Sequence, residues 1–328
     1  MRNRLAGVRT GARWLACCCL LAAGPMSALA EDEPVLADAV EAQAEPNRFI
    51  VQLASGDEEL QQRYPHQVVW LELPDDGPVL GLLERASRGE AKGGIIMLGD
   101  AGSTADAGVL SGMRAALARQ GWDVLSLGLP PVPAGLLRER QLAAVPAAEP
   151  EANDELAPDT TINEPYEDDD IFGDDLTYPD DDIDTPEPPA SAYFDFGDAL
   201  LSAAVNQLMA DGHGTWVMVG VGWGADMATR WWLASPRTEQ PLVWINGRLD
   251  EAVVEQLVAQ AESGQLAPML DLVASRQPLP EAVERRRAMI RAGAGVYRQQ
   301  AVAIPQATPA SADRMLANRI AAWLETLQ

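Results

Sequence analysis

Cysteine occurs at a single place in this chain: Cys17, Cys18 and Cys19 stand together and none follows. That excludes disulfides and a thiolate-held metal from everything after residue 19. A chain of 328 residues can do without disulfides, because its core is large enough. Histidine is scarcer still, with only His66 and His213. Positive charge is outnumbered, at 24 Lys and Arg against 49 Asp and Glu, and the formal net charge is −25. Such a balance argues against nucleic acid and anionic lipid as partners. Beyond residue 30 no apolar run reaches the roughly 20 residues that span a bilayer.

Residues 1–30 read as a cleavable secretory signal. Arg2, Arg4, Arg9 and Arg13 form a basic start, residues 14–23 an apolar run, Gly24 and Pro25 a break, and Ala28-Leu29-Ala30 a small-residue cleavage site. The run is too short for a retained anchor, and Trp14-Leu15-Ala16 before Cys17 is a poor lipoprotein signal. The expectation is export to the periplasm with cleavage after Ala30. Loss of four arginines and no acids would move the net charge from −25 to −29.

Residues 31–48 read as a flexible start. After them, short strand patterns at 49–53, 67–73 and 78–84 precede an alternation of strands and helices. Strands are predicted at 94–98, 124–127, 216–219, 242–245, 268–273 and within 296–304. The run Gly94–Leu98 is apolar throughout, as expected of a strand covered on both faces. Helices are predicted at 108–119, 200–209, through Met227 and Trp231, at 253–261, 281–291 and 311–327. The stretch from 138 to 192 breaks the pattern. Between 149 and 187 it holds five prolines, many acids and no Lys or Arg, so it cannot bury enough apolar surface to offset its chain entropy. It reads as a disordered acidic insert. It is placed either over the mouth of a pocket or against Arg285, Arg286, Arg287 and Arg291. It has no D-x-[DN]-x-[DN]-G calcium loop, so only diffuse cation association is expected of it. The fold class is α/β: a mainly parallel sheet with helices on both faces and an antiparallel start.

The most informative stretch is VMVGVGWGADMA. A strand runs into Gly220-Val221-Gly222-Trp223-Gly224 and on into a helix. That is the glycine spacing of a nucleophile elbow, G-x-S-x-G, with Gly222 where the serine belongs. It is not a phosphate loop, since it lacks both the G-x-G-x-x-G spacing and the Lys-Ser/Thr pair.

With GGIIMLGDAGSTAD, MRAALARQGWDVLSLGLP, PMLDLVAS and YRQQAVAIP in this order, the chain resembles the α/β-hydrolase superfamily. More narrowly, it is similar to an uncharacterised exported α/β-hydrolase-like family, domain of unknown function 3530. The resemblance covers residues 49–328, with the acidic stretch as an insert. It implies an eight-stranded sheet with the elbow after the fifth strand. The catalytic base would then lie in the loop 305–311, which reads PQATPAS and has no histidine. Asp250 and Asp271 hold positions suited to the orienting acid, but such an acid does nothing without a base. Asp271, inside an apolar strand, reads as hydrogen-bonded structure.

Gly222 has two readings: a vestigial nucleophile position, or simply the residue that relieves strain in the elbow. Ser103, in the turn after the first parallel strand, is the one substitute nucleophile. Trp223, Trp231 and Trp232 read as helix packing, with a ligand-stacking role for Trp223 as the alternative. The sequence thus points to a catalytically inactive hydrolase relative, with no cofactor and no metal. Its expected partner is an envelope protein or a small apolar ligand. The rival is a divergent esterase or amidase with displaced catalytic residues.

Overall fold

The structure, a computed structural model, describes residues 56–143, 190–305 and 309–327. The signal, the flexible start, the predicted strand at 49–53 and residues 144–189 of the acidic insert lie outside the described residues.

Eight strands form one sheet: β1 Val68–Leu73, β2 Gly77–Glu84, β3 Gly94–Ala101, β4 Asp123–Leu129, β5 Trp216–Val221, β6 Leu242–Ile245, β7 Met269–Ala274 and β8 Tyr297–Val302. Their spatial order is β1-β2-β4-β3-β5-β6-β7-β8. The β1–β2 and β2–β4 pairings are antiparallel and the rest are parallel. The helices are α1 Asp57–Arg63, α2 Leu110–Arg119, α3 Ala134–Ala143, α4 Ala190–Ala210, α5 Trp223–Ala234, α6 Glu251–Glu262, α7 Pro280–Arg291 and α8 Asp313–Leu324.

The period of two along each strand deals side chains to the two faces. Ile96 and Leu98 of β3, Met218 of β5 and Trp244 of β6 enter one core, under Leu200, Leu201, Ala204 and Leu208 of α4. Their neighbours Ile95, Met97, Val219 and Val243 enter the other, beneath Met113 and Leu117 of α2 and Leu316 and Ile320 of α8. A third cluster joins Leu60 of α1 to Leu80 and Leu82 of β2.

Three helices depart from the expected layout. α1 has only one buried residue, Leu60, and so shows no period in the sequence. α3 occupies 134–143 and α4 begins at Ala190, so the segment expected to be unstructured from 138 to 192 is helical at both ends.

Strand order reverses at the β3/β5 pair: the chain goes from β3 outward to β4, then returns to add β5 on the other side. Crevices at such switch points, at the carboxyl ends of the strands, are where open α/β sheets bind ligands. Leu98 of β3 is in register with Gly220 of β5. The residues that follow, Gly99-Asp100 and Val221-Gly222, therefore reach the same end of the sheet.

Candidate functional site

The elbow is as tight as its glycines allow. A Cβ on Gly220 would stand 2.4 Å from the Cα of Ala225, and one on Gly224 would stand 2.3 Å from the carbonyl oxygen of Gly99. Only hydrogen at these positions lets α5 start so close to β3. Gly222 itself has φ 55° and ψ −116°, a conformation costly for any residue with a side chain. Its N–H donates to the Ile245 carbonyl at 3.0 Å, and its carbonyl accepts from the Arg248 N–H at 2.9 Å. The turn is thereby fixed to the loop after β6.

Asp100, at the end of β3, fills the space above Gly222. A Cβ on Gly222 would lie 2.3 Å from the carboxyl carbon of Asp100 and 2.3–2.4 Å from its two oxygens. Oδ1 of Asp100 accepts hydrogen bonds from the backbone N–H of Trp223 at 2.8 Å and of Ala101 at 2.9 Å. In a working elbow, the N–H after the nucleophile and one from the loop after this strand form the oxyanion hole. Here both donors hold a carboxylate from the chain itself. An oxyanion at that point would meet a like charge and no free donor.

A cavity of about 160 Å³ opens beside the turn, lined among others by Asp100, Ser103, Val109, Gly222, Asn246 and Arg248. Ser103 Oγ is buried and has no hydrogen-bond partner among the described residues. Asn246 has φ 47°, and its amide bridges the Pro305 carbonyl at 3.0 Å and the Ala274 N–H at 2.9 Å. This brings the start of the last loop to the cavity rim. Residues 306–308 of that loop lie outside the described residues, and none of them is a histidine.

The two histidines are placed elsewhere. His66 is exposed in the turn before β1. His213 precedes β5, and its Nε2 lies 3.0 Å from Asp123 Oδ2 at the start of β4. The length of a six-residue strand, on the order of 20 Å, separates that rim from Gly222. Asp123 also accepts from the Ala86 N–H at 2.7 Å and from Arg85 at 2.9 Å. Burial alone would raise its pKa. The Ala86, Arg85 and His213 hydrogen bonds outweigh burial and hold the carboxyl below the ordinary carboxylate value.

The candidate acids are both committed to structure. Asp271 is fully buried in β7. Its Oδ2 takes Arg285 at 2.9 and 3.1 Å, the Tyr297 hydroxyl at 2.8 Å and Gln299 at 3.0 Å. Arg285 is likewise buried, so it is not available to the acidic insert as expected: α7 turns it inward between Ala282 and Met289. Asp250 caps α6 by accepting the Ala252 N–H at 3.1 Å.

Asp250 also joins a cluster with Asp226 that sequence reasoning missed. Asp226 Oδ2 accepts from Arg140 and Arg230, each at 2.9 Å, and its Oδ1 takes the Asp250 N–H at 2.8 Å. Arg140 of α3 lies over the Trp223 ring, 4.2 Å from its centroid, and Arg230 lies over Phe194 of α4 at 4.4 Å. Both helices that flank the acidic insert are thus tied to the elbow helix. Burial, with the charges of Asp226 and Asp100, raises the pKa of the neighbouring Tyr193 phenol above its ordinary value. Trp223 packs beneath Arg140, Trp231 donates to Ser202 at 2.9 Å, and Trp232 is buried and donates to the Arg237 carbonyl. No group of three or more His, Cys, Asp or Glu that could hold a metal is present among the described residues. None of their helices is long and apolar enough to cross a membrane.

Strand order, elbow and switch-point crevice together define an α/β-hydrolase fold. The chain belongs to the family described as protein of unknown function (DUF3530), whose model matches residues 12–326. No match is found among curated proteins. Among solved structures the chain is similar to the esterase domain of a Rhodothermus marinus protein, at 11% identity and a TM-score of 0.47, covering 78% of this chain and 96% of that one. It is also similar to an esterase from Pyrococcus furiosus, at 11% identity and a TM-score of 0.49, covering 81% and 93%. Dienelactone hydrolase from Anabaena variabilis gives 14% identity and a TM-score of 0.47, covering 80% and 99%.

Proposed function

We propose that this is an exported, periplasmic protein of the α/β-hydrolase fold that performs no acyl transfer at its elbow and serves as a binding or interaction protein of the envelope. One observation carries the reading: the Asp100 carboxylate occupies the oxyanion position above a glycine. Serine hydrolysis needs a nucleophile, a base within hydrogen-bond reach, and donors aimed at the developing oxyanion. Gly222 has no nucleophile, both histidines lie away from it, and the donors are engaged by a negative charge. Export rests on residues 1–30. Treating the purified protein with a fluorophosphonate probe and mapping adducts by mass spectrometry tests the reading. No serine should be modified; stoichiometric labelling of one serine overturns it.

One observation favours an esterase or amidase instead. Ser103 Oγ is buried, unpaired among the described residues, and lines the same cavity. On that reading Ser103 is the labelled serine, and Ser103→Ala abolishes the labelling.

A further inference from the structure

The substitution of a carboxylate for an oxyanion changes what the cavity can bind. In a hydrolase, two backbone N–H groups face the ligand and select an acceptor. Here Asp100 Oδ1 consumes both, and Asp100 lines the cavity with a second oxygen, Oδ2, that has no hydrogen-bond partner among the described residues. The wall has become an acceptor bearing negative charge, so it selects an N–H donor with positive charge. Ser103 lines the same cavity, but its Oγ is shut off from solvent and is not among the contacts offered to a ligand.

Arg248 supplies the opposite charge. It is exposed, lines the cavity, and makes no ion pair among the described residues. Its backbone is pinned to the elbow by the bond to the Gly222 carbonyl. A guanidinium free of any ion pair beside the cavity favours a carboxylate and disfavours a simple cation. Val109, Leu110 and Val221 supply apolar lining for a short side chain. A cavity of about 160 Å³ suits a ligand of roughly benzene size.

We propose that the elbow cavity binds a small zwitterion, an α-amino acid with a short side chain. Its ammonium sits on Asp100, and its carboxylate on Arg248. This rests on the non-catalytic reading of the elbow and replaces the expected small apolar ligand with a charged one. Asp100 is then a binding residue whose carboxylate has taken over the donors of a disused hole.

Calorimetry with L-alanine, ethylamine and acetate as separate probes tests the proposal on the whole purified protein. Alanine should bind saturably, with ethylamine and acetate each about tenfold or more weaker, since each lacks one charged contact. Arg248→Gln should reduce alanine to the level of ethylamine. Asp100→Asn should abolish alanine binding; its amide oxygen can still accept from Trp223 and Ala101, and a thermal melt checks that it folds. Arg248 is exposed, so its variant keeps the test decisive if Asp100→Asn does not fold. No saturable alanine binding, acetate binding as tightly as alanine, or an Arg248→Gln protein with unchanged selectivity would each overturn the proposal. Failure here with no fluorophosphonate labelling removes the ligand and leaves the non-catalytic elbow standing.

Discussion

The carboxyl carbon of Asp100 stands 2.3 Å from the point where Gly222 would carry a Cβ. The two residues are therefore coupled: an acid can sit over the turn because the turn has no side chain. Gly222→Ala has to accommodate both a positive φ and an overlap with Asp100. It should destabilise the protein by about 2 kcal/mol or more in urea denaturation. In an Asp100→Gly background the same change meets no carboxylate, and the cost should fall by about 1 kcal/mol or more. Strictly additive effects would mean that the two residues do not share this space.

Arg285 and Asp271 form an ion pair buried from solvent on both sides. Arg285→Met leaves a buried carboxylate with only Tyr297 and Gln299 as donors. It should cost about 3–5 kcal/mol, whereas Asp271→Leu combined with Arg285→Met should recover most of that loss. Thermal or urea melts of the single and double variants check both parts.

Asp123 makes the stability depend on pH in the acid range. Its folded pKa is lowered, so over that window the unfolded chain binds more protons and stability rises with pH. The contribution is fully present above the ordinary Asp pKa of about 3.9 and is lost as pH falls through the lower folded value. Urea midpoints between pH 3 and 6 should fall more steeply for the parent protein than for Asp123→Asn, which is less stable at neutral pH.

Arg140 fastens α3 to the elbow helix through Asp226, Asp250 and the face of Trp223. Arg140→Ala should lower stability by roughly 1–3 kcal/mol and speed amide exchange in α3 ahead of the rest of the fold. Exchange in α3 unchanged by the substitution would show that the cluster does not hold the helix.

Much of the fold is legible because the central parallel strands β3, β5 and β6 hold apolar runs and helices such as α2, α4 and α8 repeat their apolar residues on one face. α1 and α3 are not legible, because one is seven residues long with a single buried leucine and the other runs into the stretch from 138 that reads as an insert. Arg285 reads as one of a run of exposed arginines, yet its spacing from Ala282 and Met289 places it on the inward face of α7. Gly222 is visible as the empty nucleophile position. Its replacement by Asp100 is not, because Asp100 and Trp223 lie 123 residues apart and no local pattern links them. The available signal is topological: an acid directly after the first parallel strand, beside a turn whose centre is glycine.

Ester turnover compared with a Ser103→Ala variant tests the central claim most directly. With p-nitrophenyl acetate, the parent protein should hydrolyse no faster than buffer and the variant should behave identically. Saturable turnover above background that Ser103→Ala abolishes would contradict the account, since it would show acyl transfer in the cavity where Asp100 holds the oxyanion donors.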